Sequence, residues 1–339
     1  MRVEVVTTRH WDGDPRLNRH VEHLETGGHK VAIASFRDQS SLQSLFSAVG
    51  AVAGTHADAV VLPDPDFYVI GSVVARMSGK RPVIDIHEDY PKVARNRSWI
   101  PGLVKPFVSL AARAMLAIGR LLAWRVVVAA PQLSRPGDFI VLNIADPSRL
   151  CGHVSTKDPH LLVYVGDITV ARGALDMVVA LEGLPARYRL MLIGPTSNTT
   201  RDQLVRLAEE LEVSDRLDLL GRKEHDEAWR IASRAQFGLS LLQDTPAYRH
   251  AVATKLWEYL ACGLVPIVTD LPGQAAFVSR LDSRLICSKP TQVADIVASL
   301  ARDDEGIREL SRRGREMAEM EWEKARPDRE IQAAFTLDR

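Results

Sequence analysis

Two cations in the second half of the chain have the type and placement needed to hold an anion. Thr254 is predicted to be the N-cap of a short helix, and Lys255 follows it in the first turn. A helix N-terminus already carries free N–H groups and the positive end of the helix dipole, so a lysine there is unfavourable unless an anion binds. Arg172 begins a second predicted helix after the glycine loop that starts at Gly166. Together the two cations indicate a polyanion site, most simply one for a diphosphate.

The surroundings of these cations leave alternatives open. Glu258 lies three residues after Lys255 on the same side of the predicted helix, where it can accept hydrogen bonds from ligand hydroxyls or merely pair with Lys255. Arg172 can equally be a solvated loop residue. Both cations, however, follow strands of one predicted parallel sheet, and ligands bind at the carboxyl edge of such sheets. That shared edge favours a binding site.

The first half of the chain offers a second set of candidates at a sheet edge. The apolar run that begins at Val83 predicts a strand that delivers His87 to the carboxyl edge of the first sheet, facing a cleft between two domains. There His87 can hydrogen-bond a ligand or exchange a proton, or it can simply satisfy nearby backbone groups. Gly13 and Asp14 reach the same edge, although ordinary turn chemistry also explains them. Glu88 more simply shapes the turn after His87.

The elements that position these residues alternate between strand and helix in two successive series. The first series begins with a strand over Val3–Thr7 and a helix that Asp14 caps, and the second begins at Leu161. Between Asn143 and Pro159 the alternation stops, which predicts an interdomain linker. A length of 339 residues also favours two domains. We therefore predict an α/β protein with two doubly wound domains.

Bulk composition excludes several classes of protein. The 43 basic and 43 acidic residues balance, so nothing indicates nucleic-acid binding. Three cysteines without metal or redox spacing argue against a disulfide framework and for a reducing compartment, so we expect a cytoplasmic protein. No signal peptide and no uncharged run of membrane-spanning length are present. The glycine patterns of dinucleotide-binding and P-loop proteins, the G-x-S-x-G elbow and metal-ligand spacing are also absent.

Four segments together resemble retaining nucleotide-sugar glycosyltransferases of the GT-B fold, in particular glycosyltransferase family four. They span almost the whole chain, and the last is the most specific; the segments are Asp14–Arg16 through Gly28–Val31, Asp85–Pro91, Tyr164–Gly173, and Tyr248–Tyr259 with Leu271–Gly273. The resemblance implies two Rossmann-like domains facing each other across a cleft. It places an acceptor-binding domain at residues 1–145 and a donor-binding domain at 146–318, and a helix within 319–339 is expected to pack back on the first domain.

The resemblance also implies roles for individual residues. Arg172 and Lys255 would bind the donor diphosphate and act in catalysis, with His87 beside the transferred sugar. The remaining donor-binding candidates lie in the second domain; they are Glu258, which would bind the ribose hydroxyls, with Gly166, Gly221, Arg222, Tyr248, His250 and Thr254. Gly13, Asp14 and Glu88 are candidates for acceptor or sugar contacts. Such enzymes usually need no metal or other cofactor, so none is expected here.

Two positions depart from the family pattern. His250 stands where the family usually has the first glutamate of a two-glutamate motif, and Asp167 stands where it usually has an arginine. The family's sugar specificity therefore cannot be carried over. Asp167 would repel a diphosphate if it pointed inward, so we expect it to point away or to contact a hydroxyl.

The leading hypothesis is retaining transfer from a nucleoside diphosphate sugar to an acceptor hydroxyl, on a polysaccharide, a lipid carrier or a natural product. A nucleotide-sugar epimerase, which would form product without an acceptor, and a binding protein without catalysis are the alternatives. A predicted helix over Val104–Ala123 combines basic and apolar residues, so it can touch a membrane surface from the cytoplasmic side or pack on the core. The sequence does not indicate an oligomeric state.

Overall fold

The protein forms two compact units, each built on its own parallel sheet. The computed structural model describes residues 1–10, 14–96, 101–150 and 156–336. One unit comprises Met1–Asn143 and the chain from Ala325 onward, and the other comprises Ile144–Lys324. Each unit holds a six-stranded sheet with helices packed against it. The predicted α/β class with two doubly wound domains is confirmed.

The first unit follows the predicted alternation of strand and helix. Its strands are β1 (Arg2–Thr7), β2 (Lys30–Ser35), β3 (Ala59–Leu62), β4 (Arg81–Ile86), β5 (Arg125–Val128) and β6 (Phe139–Ile140). The helices between them are α1 (Pro15–Thr26), α2 (Ser41–Gly54), α3 (Tyr68–Met77), α4 (Tyr90–Asn96) and α5 (Lys105–Leu122). Successive residues of a strand point to opposite faces, and accordingly Val3 and Val5 join one hydrophobic core while Val6 joins another. Both faces of the sheet are therefore covered.

The sheet of the first unit reverses its direction of growth beside its first strand. The strand order is β2-β1-β3-β4-β5-β6, with every neighbouring pair parallel. The chain thus adds β2 on one side of β1 and all later strands on the other. At such a reversal the loops after the two flanking strands diverge and leave a crevice at the carboxyl edge. The segments after β1 and β3 flank this crevice.

The second unit contains the next set of elements in chain order. Its strands are β7 (Asp158–Val165), β8 (Arg189–Ile193), β9 (Leu217–Gly221), β10 (Ala235–Ser240), β11 (Val265–Thr269) and β12 (Ile286–Cys287). Its helices are α6 (Pro147–Leu150), α7 (Ala174–Glu182), α8 (Asn198–Glu210), α9 (His225–Ala232), α10 (Thr254–Ala261), α11 (Pro272–Val278), α12 (Gln292–Leu300) and α13 (Asp304–Ala325). The strand order is β9-β8-β7-β10-β11-β12, so the reversal lies between β7 and β10. The loops after those two strands carry Arg172 and Lys255.

The last helix belongs to the first unit. α14 (Pro327–Ala334) packs against α1, β5 and β6, and Ile331 and Phe335 join the core that contains Leu17 and Leu24. The side chain of Gln332 also donates a hydrogen bond to the carbonyl of His23 at 3.0 Å. The chain passes from the second unit to the first at Ala325, six residues later than the predicted position of 319.

Three further features bear on the sequence predictions. The stretch between residues 37 and 54, where the sequence alone predicts no particular element, contains α2. Cys262 is disulfide-bonded, so the expectation of isolated cysteines is wrong for it, whereas Cys287 is a buried free thiol. Among the described residues, no helix combines the length and the apolar character needed to cross a membrane.

Candidate active site

The N-terminus of α10 has no side-chain cap. The helix begins at Thr254, and its N-cap is Ala253, which makes no capping hydrogen bond. The prediction of Thr254 as N-cap is therefore wrong by one residue. Leu256 donates its N–H to the carbonyl of Ala253 at 2.9 Å, whereas no side chain caps the N–H groups of Thr254 and Lys255, so these two can donate to an external acceptor.

Lys255 is buried beside these groups without a charge partner. Its side chain is only 8% exposed, and Nζ finds no hydrogen-bond acceptor in the part of the chain that the structure describes. Nζ lies 3.5 Å from the centre of the Tyr164 ring, a cation–π contact that compensates only part of the lost hydration. Burial, and then the neighbouring charge of Arg172, hold the pKa of Lys255 well below its usual range. A simple Lys255–Glu258 ion pair is not formed.

Arg172 faces the same small space as Lys255. A Cβ atom placed on Gly166 would lie 3.1 Å from Lys255 Nζ and 3.6 Å from Arg172 Nη1. Gly166 also has a φ of +131°, which side chains rarely tolerate. The bare main chain of the glycine loop and two cations thus enclose one volume. The predicted convergence of these side chains is present.

The loop that carries Arg172 is fixed by a glycine and by polar contacts. Gly173 has a φ of +81°, and a Cβ there would lie 1.8 Å from the carbonyl oxygen of Leu241, so only glycine fits. Arg172 precedes α7 by two residues, its N–H donates to the carbonyl of Thr169 at 3.1 Å, and Tyr248 lies close to its guanidinium. Asp167 Oδ2 lies 3.4 Å from Arg172 Nη2, so its carboxylate pairs with one of the two cations. That it points away from a bound diphosphate or contacts a hydroxyl stays a prediction. The pair leaves Asp167 exposed and partly offsets one of the two positive charges.

Glu258 has a partner that the sequence did not reveal. Its side chain is 6% exposed, and Oε1 lies 3.3 Å from His225 Nε2 at the beginning of α9. His225 in turn packs against Trp229. Gly221, which ends β9, has a φ of +67° and open space where a Cβ would stand, and Arg222 follows it on the surface. The donor candidates Glu258, Gly221 and Arg222 therefore lie along the segments that follow β9 and begin α10.

His250 is exposed and precedes α10 by four residues. Its main chain packs against the start of α11, where a Cβ on Gly273 would lie 2.4 Å from the carbonyl carbon of His250. Gly273 also donates its N–H to the carbonyl of Arg249 at 3.0 Å. The neighbouring Arg249 forms a two-bond ion pair with Asp244, at 2.9 and 2.6 Å. The segment before α10 is thus held by its backbone and by Arg249, which leaves the imidazole of His250 at the surface.

In the first unit, His87 is held by a fully buried carboxylate. Asp85, the penultimate residue of β4, accepts a 2.7 Å hydrogen bond from His87 Nε2 and two bonds from the guanidinium of Arg16, at 2.6 and 3.1 Å. His20 Nδ1 lies 3.3 Å away. Burial alone would raise the pKa of Asp85, but Arg16 and the histidines outweigh it and hold that pKa well below its usual range. An ionised carboxylate only accepts, so Nε2 of His87 carries the hydrogen and its ring orientation is fixed.

A second aspartate–histidine pair lies beside the first. His10 Nδ1 is 2.7 Å from Asp64 Oδ1, and the other carboxylate oxygen accepts bonds from the Thr7 hydroxyl at 2.6 Å and the Thr8 N–H at 2.7 Å. The rings of His10 and His87 meet edge to face at 5.3 Å. Burial opposes protonation of His10, but Asp64 outweighs it and raises the pKa of the imidazole. Sequence reasoning missed this pair, although its residues follow β1 and β3, which flank the strand reversal.

The remaining first-unit candidates are positioned less directly. The carboxylate of Asp14 caps α1, because it accepts hydrogen bonds from the N–H groups of Arg16 at 2.9 Å and Leu17 at 3.2 Å. Glu88 is exposed immediately after His87. Gly13 lies outside the described residues. Across the ranges that are described, no group of three or more His, Cys, Asp and Glu side chains is arranged to hold a metal ion.

A family model and several solved structures show which class of protein this chain resembles. Residues 152–317 match the family model described as glycosyl transferases group 1. The structure resembles Anabaena HepE in complex with UDP and glucose, with 12% sequence identity, a TM-score of 0.73 and 98% of each chain covered. It also resembles sucrose-phosphate synthase from Thermosynechococcus elongatus, with 15% identity, a TM-score of 0.69 and 96% of each chain covered.

A third structure extends the comparison. WaaG, a glycosyltransferase involved in lipopolysaccharide biosynthesis, is 13% identical, with a TM-score of 0.67 and coverage of 99% of this chain and all of the other. No curated protein sequence matches the chain. The protein therefore has the GT-B fold, and the match of residues 152–317, within the second unit, to the glycosyl transferases group 1 model supports a glycosyltransferase.

Proposed function

We propose that the protein is a retaining glycosyltransferase that moves a sugar from a nucleoside diphosphate sugar to an acceptor hydroxyl. The single observation that carries this proposal is the buried ammonium of Lys255. It has no acceptor among the described residues and shares its space with Arg172 above Gly166. A buried, unpaired cation destabilises a protein unless a ligand supplies the counter-charge. A diphosphate has the charge and size to bind both side chains together.

The same arrangement would assist departure of the diphosphate. As the bond between the sugar and the diphosphate breaks, negative charge grows on the leaving oxygen. Lys255, Arg172 and the uncapped N–H groups of α10 are already oriented toward that charge. Such preorganised donors each contribute about 3 kcal/mol to transition-state stabilisation. Anabaena HepE, whose structures hold UDP with glucose and UDP-glucose, supports a nucleotide sugar as the donor.

The other roles in this proposal follow the family resemblance. Glu258 would accept hydrogen bonds from the ribose, Gly221 and Arg222 would approach the base, and His87 would contact the transferred sugar. We expect the reaction to need no metal ion or other cofactor. The acceptor would be a polysaccharide, a lipid carrier or a natural product.

A peripheral membrane contact is part of the proposal because α5 exposes a stripe of apolar side chains. Phe107 is 73% exposed, Leu110 64% and Leu121 80%, and they lie on one side of the helix. Arg113 lies next to this stripe on the same helix and would face anionic lipid headgroups, whereas Lys105 lies on the opposite side of the helix. Flotation with anionic liposomes tests this contact, and the absence of binding would remove it.

The decisive test of transfer is a Lys255→Met variant. We expect turnover to fall by about a hundredfold or more, because an interaction used in the transition state is lost. Circular dichroism and thermal melting would verify folding. Arg206→Met, which removes an exposed cation from α8, is the matched control and should leave turnover unchanged. Full activity of Lys255→Met would refute the assigned role.

A nucleotide panel would then identify the donor and separate the alternative functions. UDP, GDP, dTDP and ADP are compared by thermal shift, since a specific ligand raises the melting temperature by mass action. Product formed from donor alone would indicate an epimerase. Nucleotide binding with neither transfer nor donor hydrolysis would indicate a binding protein.

A further inference from the structure

A cavity of about 530 Å³ opens in the first unit at the carboxyl ends of β4 and β5. The segment that follows β4, the middle of α5 and the segment Gln132–Arg135 form its walls. Its volume lies in the range of small-molecule sites in proteins. Of the roles assigned above, only the acceptor or sugar contact of Glu88 and the membrane contact of Arg113 involve residues of this cavity.

Positive charge dominates the cavity wall. Two carboxylates line it, those of Glu88 and Asp89, against five cationic side chains, which are Lys92, Arg95, Arg113, Arg120 and Arg135. A concave surface with excess charge of one sign concentrates ions of the opposite sign.

Two of these cations are already neutralised within the protein. Lys92 pairs with Asp89 at 3.0 Å. Arg120 pairs with Asp138 at 2.5 Å and donates a second bond to the carbonyl of Leu133 at 2.9 Å. Arg120 is thereby fixed in orientation, and its charge is balanced.

The other three are not balanced. Arg95, Arg113 and Arg135 line the same cavity, and none of them has a carboxylate partner within the described ranges of the chain. The remaining lining carboxylate, Glu88, cannot neutralise three guanidinium groups. Guanidinium groups bind phosphate oxygens with paired, charge-assisted hydrogen bonds, so a phosphate ester matches this wall better than a neutral sugar does.

We propose that this cavity binds a phosphate or diphosphate group carried by the acceptor substrate. The assignment to the acceptor rests on the proposed transfer reaction, whereas phosphate binding by the cavity does not. Two sources supply this chemistry, a free phosphorylated sugar and a phosphate-linked lipid. The apolar stripe of α5 runs beside the cavity, because Leu110 precedes the lining residue Arg113 by three positions and Leu121 follows the lining residue Ala117 by four. That neighbourhood favours the lipid.

The test is a binding measurement that does not depend on catalysis. Inorganic pyrophosphate is titrated into the full-length protein by calorimetry in the presence of saturating UDP, which occupies the donor site. The double variant Arg113→Gln/Arg135→Gln is expected to bind pyrophosphate at least about tenfold more weakly, since hydrogen bonds to charged groups are lost. The control variant Arg2→Gln/Arg37→Gln removes the same charge from exposed positions outside the cavity and should bind like the unchanged protein.

Vesicles distinguish the two sources. Binding to phosphatidic acid vesicles but not to phosphatidylcholine vesicles, lost in the double variant, would assign the lipid-linked phosphate. Binding of pyrophosphate without vesicle binding would assign the free phosphate ester. Equal pyrophosphate affinity of the double variant and the unchanged protein would overturn the proposal. If UDP fails to bind while the arginine-dependent site remains, the donor assignment fails and this site stands.

Discussion

Buried charge at the strand ends is compensated differently in the two units. In the first unit, Asp85 is surrounded by Arg16, His20 and His87, and Asp64 is bound by Thr7 and His10. In the second unit, Lys255 is buried without an acceptor among the described residues and lies near a second cation, Arg172. In the first unit each buried carboxylate thus has a cationic or imidazole partner within the protein, whereas Lys255 in the second unit has no acceptor among the described residues.

This difference distinguishes a residue that positions another side chain from a residue that binds a ligand. A carboxylate that is fully satisfied inside the protein fixes the orientation of a neighbouring imidazole, as Asp85 does for His87. A buried cation without a partner raises the free energy of the ligand-free protein. An anionic ligand that pairs with this cation removes that cost and is therefore bound more tightly. In the second unit Arg172 and Lys255 follow β7 and β10, which flank the strand reversal of that sheet. In the first unit only His10 and Asp64 follow the flanking strands, β1 and β3, whereas Asp85 lies in the next strand, β4.

The largest expected effect comes from removing the centre of the first network. Asp85→Ala leaves Arg16 buried without its carboxylate partner, so we expect a loss of about 3–5 kcal/mol in the free energy of unfolding. Urea denaturation measures it. Lys255→Met is the matching change at the second edge, and it should leave stability unchanged or raise it, because a buried unpaired charge is replaced by an apolar chain. Comparable destabilisation by both variants would show that Lys255 has an internal partner.

The second prediction concerns the space enclosed by the two cations. Gly166→Ala forces a side chain into an unfavourable φ and places it 3.1 Å from Lys255 Nζ. We expect destabilisation of about 1–3 kcal/mol from backbone strain, together with clearly weaker binding of the diphosphate. Denaturation and UDP titration measure the two effects.

Gly79→Ala is the control for that strain. Gly79 also has a positive φ, of +71°, but a Cβ there meets open space, and no binding role is assigned to it. The control should therefore lose stability while retaining its affinity for UDP. If Gly166→Ala binds UDP as tightly as Gly79→Ala does, the diphosphate does not occupy the space between Lys255 and Arg172.

Sequence reasoning found the residues that lie near strand ends and missed the partners that the fold brings to them. Lys255 and Arg172 could be placed together because the carboxyl ends of parallel strands share one edge. The pair His10–Asp64 depends on the register of β1 against β3, and the contact of His225 with Glu258 joins α9 to α10. Neither is a local pattern.

Local signals, by contrast, were sometimes present and not used. Gln43 accepts a hydrogen bond from the Ser40 N–H at 3.4 Å, which is one half of a capping box at the start of α2. That Ser-x-x-Gln spacing could have predicted the helix. The shift of the α10 cap from Thr254 to Ala253 is a one-residue boundary error of the usual kind.

The smallest predicted effect is the uptake of a proton by the protein when the ligand binds. In the free protein burial and Arg172 lower the pKa of Lys255, and a bound diphosphate would raise it. At any pH between the two values the free amine is neutral and the bound one is charged, so binding takes up as much as one proton. Calorimetry of UDP binding in buffers with different ionisation enthalpies measures this uptake, at a pH above the last ionisation of the diphosphate. The uptake should grow as the pH rises through the lowered pKa, and it should vanish in Lys255→Met; uptake that persists in this variant would assign the proton to another group.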